Sequence, residues 1–549
     1  MKRDLFKLES AEFDLIVVGG GIHGAFVAWD AAQRGLSVAL VERGDFGSAT
    51  SANSLKTVHG GLRYLQDFDL GLVQKMIFER KTYLKIAPHL VHTLPFVVPT
   101  IKKMTRSYFA MGIALTLNDL IGRKRNDGQV VGKEIPPSRL ISKDECLAYL
   151  PGMDADKITG GALWYDAQVF NTERFTINVL KSAASEGACL ANYVSAEKLL
   201  IQNGAVIGAA VKDELRGDRF DIQAKMVVNA TGAWIDKLIV DSDHPVPNGI
   251  DYPMTVAWNI VTRKFIDRCA AGIFARSKAD NKSKLLFVAP WRDYSIAGTV
   301  HEAIEGEPDS YNIPQQQIEE FVDDINFNYN DVNLTLDDIQ SVHKGFHHVK
   351  SVSAKSKRNT KALRKGVVYD HGLNDSIEGL VTIVSVKFTT ARSVAERTID
   401  LVCQKLGVTR PCETHFRPIY GGDVENFDDF MTNSLSDLGS LIEKELLYNY
   451  GTAYRELLKC APQLEAGTLN RSDIFRAQIK YSLENEMAVT LSDVLLRRTD
   501  IGSGEPPSAE IVHECATIMQ RELGWTDGEK VSEIERLEIQ LAQRWSGDS

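Results

Sequence analysis

The sequence predicts an α/β chain in three parts: a Rossmann-like domain on a parallel sheet, a mostly antiparallel sheet beside it, and an all-α C-terminal domain. Three patterns predict this. FDLIVV (Phe13 to Val18) is a short apolar run that breaks into GGGIHG and resumes as AFVAWDAAQRG, which reads as strand, tight turn and helix. Strand-like runs separated by polar turns occupy the middle of the chain. After Pro418-Ile-Tyr-Gly-Gly the periodicity becomes helical.

In chain order, Gly35 ends the first helix and SVALV (Ser37 to Val41) supplies a second buried strand ending at Glu42, which completes a βαβ unit in roughly 30 residues. AKMVVNATGAW (Ala224 to Trp234) reads as a buried strand running into a Gly turn. Gly379 to Val402 reads as strand, turn and long helix, and both segments are expected to return to the first sheet. LLFVAPW (Leu285 to Trp291) and YSIAGTV (Tyr294 to Val300) are the clearest antiparallel strands. SLIEKELLYNYG, DIFRAQIKYSLENE, LSDVLLRR and EIVHECATIMQRELG read as helices between polar or Gly breaks. These patterns divide the chain into 1–90 with 155–250 and 370–415, then 91–154 with 251–369, then 425–549.

With 549 residues there is room for two or three cores. A net charge of -10 argues against general nucleic-acid binding, because neutralising phosphates takes a surplus of clustered Lys and Arg. The seven cysteines are scattered, without CxxC or a neighbouring His cluster, so they are expected to be reduced packing residues and no metal site is expected. The opening MKRDLFKLESAEFD lacks an apolar h-region, so a cytoplasmic location is expected. YFAMGIALTLNDLIG (Tyr108 to Gly122) is the most apolar long segment. It is too short to span a bilayer and is expected as a buried amphipathic helix, with contact to one membrane leaflet as the alternative.

Gly19, Gly21 and Gly24 form GxGxxG directly between strand and helix. The first allows the turn, the second admits a pyrophosphate close to the backbone, and the third lets helix and strand approach. The helix N-terminal amides then face the phosphate charge. Glu42, at the end of the next strand, can accept hydrogen bonds from ribose hydroxyls, and its acidity disfavours a 2′-phosphate. FAD and NAD share this fingerprint.

Other motifs choose between them. ATSANSLKTVHGGLRYLQ (Ala49 to Gln66) resembles the flavin-proximal loop of FAD-dependent glycerol-3-phosphate dehydrogenases: a Ser-rich stretch, then Lys, two residues and His-Gly-Gly-Leu-Arg-Tyr-Leu. NATGAW (Asn229 to Trp234) resembles that family's second nucleotide-side turn, and VKFTTAR (Val386 to Arg392) its Gly-Lys-Leu-Thr-Thr motif beside the flavin ring. The similarity continues through PWRDYSIAGT and LRRT (Leu496 to Thr499), so the chain is identified as a divergent member. The resemblance implies that the Rossmann-like part is an FAD-binding domain and the antiparallel sheet a substrate domain. It places Ser51, Ser54, Lys56 and Gly60 near the flavin, Thr231 and Gly232 at the second turn, and Lys387 and Thr389 beside the ring. It further implies hydride transfer from C2 of sn-glycerol 3-phosphate to flavin N5, giving dihydroxyacetone phosphate, with electrons passed to a quinone or another acceptor.

Oxidising a secondary alcohol requires a proton acceptor for the hydroxyl and, for a phosphorylated substrate, positive charge. Arg63 is the phosphate candidate, since a guanidinium binds phosphate bidentately, and Tyr64 would hydrogen-bond the substrate or pack on the ring. Lys387 would stabilise negative charge on the reduced flavin. Arg364 falls where the family places a substrate-binding Arg, within the basic run KSKRNTKALRK. Two segments depart from the family. Where members have Gly-Val-Arg-Pro-Leu this chain has GFHHVK (Gly345 to Lys350), which puts His347 in the place of an Arg; where they have Lys-Gly-Ser-His it has VAWN (Val256 to Asn259). An imidazole accepts a proton near neutral pH, so His347 is the expected base, with His348 and His59 as alternatives. The departures also raise a larger phosphorylated or nucleotide-linked polyol as substrate, or a non-catalytic FAD-bound scaffold. A homodimer, and peripheral attachment to the inner face of the cytoplasmic membrane, stay open.

Overall fold

A computed structural model of the chain describes residues 1–103, 107–242, 250–278, 283–329, 331–353, 356–385, 387–438, 444–461 and 471–544. Val386 of the VKFTTAR motif, Lys355 of the basic run, and residues 439–443, 462–470 and 545–549 of the C-terminal part lie outside the described residues.

The first sheet has the order Val367–Asp370, Leu380–Val384, Arg219–Asn229, Glu12–Val18, Val38–Glu42, Cys189–Asn192. All neighbours pair parallel except the first two, which are antiparallel. Parallel strands covered on both faces must be apolar on both faces, and FDLIVV is. Leu15 and Val17 pack into the core shared with the helices Ile22–Gln33, Thr172–Ser185 and Ala391–Leu406, while Ile16 and Val18 face a second core closed by Leu8 and the hairpin Val194–Gln202 and Ala205–Asp213. Each such fully buried aliphatic side chain contributes about 1.5–3 kcal/mol.

The second sheet runs Ser356–Ala362, Ile339–Ser353, Met254–Arg263, Tyr294–Ala303, Ser283–Trp291, Ala270–Arg276, Val91–Thr100, Gly160–Val169, Thr57–Val58. It is antiparallel apart from the pairing of Ala270–Arg276 with Val91–Thr100. On one face Val256, Trp258 and Ile260 pack under the helix Gln315–Asn328 through Ile318, Phe321 and Ile325. The other face of its central strands turns toward the first sheet.

Three expectations are corrected. Gly160–Val169, grouped above with the nucleotide-binding segments, pairs along its whole length with Val91–Thr100 and belongs to the second sheet, as does Thr57–Val58. Val367–Asp370, grouped with the substrate domain, is an edge strand of the first sheet. Pairing between segments far apart in sequence leaves no local trace, which is why composition misplaced them. The helix Tyr108–Ile121 forms, but it buries only Leu115 and Asn118 fully, and Phe109, Ile113 and Leu120 are 77%, 56% and 64% exposed.

The C-terminal part is helical, with Arg471–Asn485, Ala509–Leu523 and Asp527–Arg544 as its longer members. LSDVLLRR is a short helix, Leu491–Asp493, that widens into a π-helical turn, Val494–Arg498. That turn delivers two buried guanidinium groups onto Asp45 of the first sheet's loop: Arg498 donates to both carboxylate oxygens at 2.7 Å, and Arg497 Nε also donates to Asp45. Burial opposes the charge on Asp45, but Arg498 and Arg497 outweigh it and hold the carboxyl well below the usual range. A second buried pair joins Arg174 of the helix Thr172–Ser185 to Glu486, at 2.6 and 2.9 Å. The helical part is thereby anchored to the loop that follows Glu42.

Candidate active site

A cleft of about 990 Å³ opens at the C-terminal ends of the parallel strands, where the chain leaves Val18, Val41 and Ala230. It continues past the loop Ser48–Leu55 to the second sheet, where Asn259, Thr299, His301, Gly345 and His347 line it. Of the residues expected to bind cofactor, Gly19, Gly21, Glu42, Ser51, Ser54, Thr231 and Gly232 line this cleft.

The turn requires its glycines. Gly19 has φ +108, and a Cβ there would lie 2.6 Å from the Ala230 carbonyl oxygen; a Cβ on Gly24 would lie 1.9 Å from the oxygen of Gly19. Gly24 therefore acts by close packing rather than by lining the cleft. Gly21 caps the helix Ile22–Gln33, whose first amide, on Ile22, donates to Ser51 Oγ at 3.0 Å. Glu42 accepts from the amides of Gly20 and Gly44 at 2.7 and 2.9 Å; burial pushes its carboxyl up, with those amides pulling the other way. Thr231 Oγ1 donates to Asn229 Oδ1 at 2.7 Å, which sets the second turn. A glycine-floored turn, a helix N-terminus and an acid at the end of the neighbouring strand fit a dinucleotide such as FAD.

Lys56 and Gly60 do not line the cleft; they brace the loop from behind. Lys56 Nζ is buried and donates to Ala52 O at 2.6 Å, Thr172 Oγ1 at 2.7 Å and Glu173 at 3.1 Å, and burial pulls its amine down to about 8 against the opposing effect of Glu173. The amide of Gly60 donates to Asp166 Oδ1 at 2.7 Å, and Asp166 also takes Arg80 and His59. The His59 backbone amide donates to Thr389 Oγ1 at 3.3 Å, so Thr389 ties two motifs together.

Arg63 and Tyr64 sit on the short helix Leu62–Asp67. Lys387 Nζ lies 4.5 Å from the centre of the Tyr64 ring and donates to the Arg364 carbonyl at 2.7 Å. The Arg364 guanidinium meets Asp67 at 2.9 Å in a half-exposed ion pair, the kind that contributes little stability. Arg63 is exposed and forms no hydrogen bond or ion pair among the described residues. Lys387 itself does not line the cleft, but Ser385 and Phe388 on either side of it do.

His347 is buried in the cleft wall. Its Nδ1–H donates to the His348 carbonyl at 3.1 Å, which leaves the Nε2 lone pair without a partner among the described residues. Burial, then the neighbouring His301, pulls its pKa down to about 4, so the ring is neutral at pH 7. His348 bonds the Tyr252 carbonyl at 3.0 Å and does not line the cleft. The sequence reading overlooked His301 and Thr299. Their signal was the period of two in YSIAGTVH, which puts both on one face of the strand. Among the described residues no helix is long and apolar enough to cross a membrane.

Comparison with known proteins follows the same lines. Residues 14–354 match the family described as FAD dependent oxidoreductase, and residues 412–530 match the C-terminal domain of alpha-glycerophosphate oxidase. The chain is 27% identical over 559 residues to the glycerol-3-phosphate dehydrogenase of Synechocystis sp., covering 98% of each protein. It is 30% identical over 515 residues to the aerobic glycerol-3-phosphate dehydrogenase of Staphylococcus aureus, covering 91% of this chain and 89% of that protein. The crystal structure of a glycerol-3-phosphate dehydrogenase from Bacillus halodurans complexed with FAD has a TM-score of 0.76 at 24% identity, over 99% of this chain and 97% of that one. The expected α/β architecture is thus met.

Proposed function

The chain belongs to the FAD-dependent oxidoreductase family, and within it to the glycerol-3-phosphate dehydrogenases, and on that premise we propose that it oxidises the C2 hydroxyl of sn-glycerol 3-phosphate to dihydroxyacetone phosphate. The observation that carries this reading is Arg63, an exposed guanidinium with no carboxylate partner among the described residues, whose charge acts on His301 in the cleft. A free guanidinium whose charge reaches a cleft imidazole suits a substrate with a phosphate at one end and a hydroxyl to deprotonate. When bound, FAD supplies the two-electron acceptor for the hydrogen on the carbinol carbon. Gly19, Gly21 and the first turn of Ile22–Gln33 would hold its pyrophosphate and Glu42 its ribose, with Ser51, Ser54, Thr231 and Gly232 along the rest of the cleft. Lys387 and Tyr64 would close the substrate side.

The test is the anaerobic absorption spectrum of the holoprotein before and after adding glycerol 3-phosphate. Bleaching of the visible flavin band supports the reading; an unchanged band sinks it. A second reading keeps the chemistry and enlarges the polyol phosphate. It is favoured by a neutral His347 at the place of an Arg, and bleaching by the bulkier substrate alone would select it. No bleaching by any polyol phosphate would leave a non-catalytic scaffold.

The electron acceptor we propose is a membrane quinone, reached by peripheral attachment. Phe68, which caps the helix Leu62–Asp67, and Phe109, Ile113 and Leu120 on the adjoining helix Tyr108–Ile121 stand exposed, and Lys102, Lys103, Arg123 and Lys124, just before and after that second helix in the chain, are exposed too. Apolar side chains flanked in the chain by cations suit one leaflet of an anionic bilayer. Flotation with anionic vesicles tests this, and failure to float would refute it.

A further inference from the structure

Three strands lie side by side on the cleft face of the second sheet. His301 stands opposite Ala257, and Ala257 opposite Gly345, so across that row the surface is floored by a methyl and a bare backbone with one imidazole at its edge. Thr299 shares the face and donates to Asn259 Oδ1 at 2.7 Å. His347, two residues along from that row on the same face and in register with Thr255, presents its ring edge-on to His301, with centroids 5.6 Å apart and planes at 75°. Both rings line the cleft, but His301 is exposed, whereas His347 is buried and tied through Nδ1 to a carbonyl.

We propose that His301 is the catalytic base of this chain, accepting the hydroxyl proton of a polyol phosphate whose phosphate is held by Arg63, and that His347 is a positioning residue that fixes the His301 ring. The proposal rests on the substrate reading above. In the step it describes, the substrate O–H bond breaks and its proton moves to the free imidazole nitrogen of His301. The O–H electron pair becomes the second bond of the new carbonyl, and the carbon-bound hydrogen departs with its electron pair to the enzyme's flavin oxidant. The proton then leaves through the open side of the cleft.

A base must be unprotonated before the reaction. Surrounding protein, then the charge of Arg63, lowers the proton affinity of His301 below the ordinary value of 6.5. The groups facing it are Arg63 from Leu62–Asp67 and His347 from Ile339–Ser353. Met254–Arg263 offers it Ala257 and no ionisable side chain nearby. On Ser356–Ala362, Lys357 pairs with Glu305 and Arg358 with Glu320, with Lys361 exposed. Glu302, next in the chain, lies on the opposite face and accepts from Gln317 at 2.7 Å. No carboxylate among these groups competes to keep His301 charged.

The experiment compares holoprotein of wild type, H301N and H347N in kcat/KM across pH, with flavin content measured for each, and follows the imidazole resonances of the wild type and R63Q by ¹⁵N NMR. His301→Asn is expected to retain its flavin, lose roughly 10²- to 10⁴-fold in kcat/KM, and lose the acidic limb of the profile. His347→Asn is expected to keep that limb and lose less than about tenfold, as befits a positioning role. The His301 resonance should titrate below 6.5 and move up in R63Q. The proposal is overturned if H301N stays within about threefold of wild type with the same limb, if H347N alone removes the limb, or if His301 is protonated at pH 7. Failure of the substrate reading shows separately, as a wild-type flavin left oxidised by glycerol 3-phosphate. The NMR titration needs neither substrate nor a variant of His301, so it decides the protonation state even then, or if H301N fails to fold.

Discussion

Replacing Glu486 by Gln keeps the shape of the side chain and removes the charge that joins the helical C-terminal part to the helix Thr172–Ser185. Glu486 is fully buried and takes Arg174 at 2.6 and 2.9 Å and Lys181 at 3.5 Å. Burial pushes its carboxyl up, but Arg174 and Lys181 outweigh this and bring the pKa from 4.5 to about 2. At 1.36 kcal/mol per unit, that depression is worth about 3 kcal/mol. Breaking a buried pair by removing one partner costs about 3–5 kcal/mol by an independent route, because the remaining guanidinium is left uncompensated. For a cooperative unit of about 150–250 residues, 3 kcal/mol is roughly 6–12 °C in Tm. The sign follows from the depressed pKa: the contribution is complete above pH 4.5 and is lost as pH falls toward 2, so about half should remain near pH 3. Differential scanning calorimetry of wild type and E486Q at pH 7 and at several acidic values would measure this. A Tm difference under about 2 °C at pH 7, or one that does not narrow on acidification, would refute the reasoning.

Gly24→Ala should abolish flavin retention, since the new methyl would fall 1.9 Å from the Gly19 carbonyl oxygen; a holoprotein with an unchanged flavin-to-protein absorbance ratio would contradict this. Arg63→Gln removes a charge-assisted hydrogen-bond donor worth about 1.5–3 kcal/mol, so KM for glycerol 3-phosphate should rise about 10- to 150-fold in steady-state assays, with flavin content unaltered. Phe109→Ser combined with Leu120→Ser removes two of the exposed apolar anchors and should weaken binding to anionic vesicles about tenfold or more in flotation, without changing kcat for glycerol 3-phosphate with a soluble electron acceptor.

Some of this was legible before any coordinates. The Gly19-to-Gly24 turn, the strand before it and the helix after it are local: the positive φ of Gly19 and the close approach of Gly24 to the Gly19 carbonyl are settled within one strand, turn and helix. The apolar runs FDLIVV and SVALV declared a doubly covered parallel sheet because both faces of each strand are buried. HGGLRYL marked the loop beside the cleft. It did not reveal that Lys56 would turn inward, because Lys56 is decided by Glu173, a residue on a distant helix.

Composition and motif therefore determined the α/β class, the dinucleotide turn and the helical C-terminus, since those depend on near neighbours in the chain. Tertiary structure alone decided that Gly160–Val169 joins the second sheet and that Arg364 meets Asp67. It also left Phe109, Ile113 and Leu120 of Tyr108–Ile121 facing outward and set His301 beside His347 across the register of three strands. The reason is common to all four: each depends on contacts between segments far apart in sequence, where the identity of a residue says what it can do and only the partner brought against it says what it does.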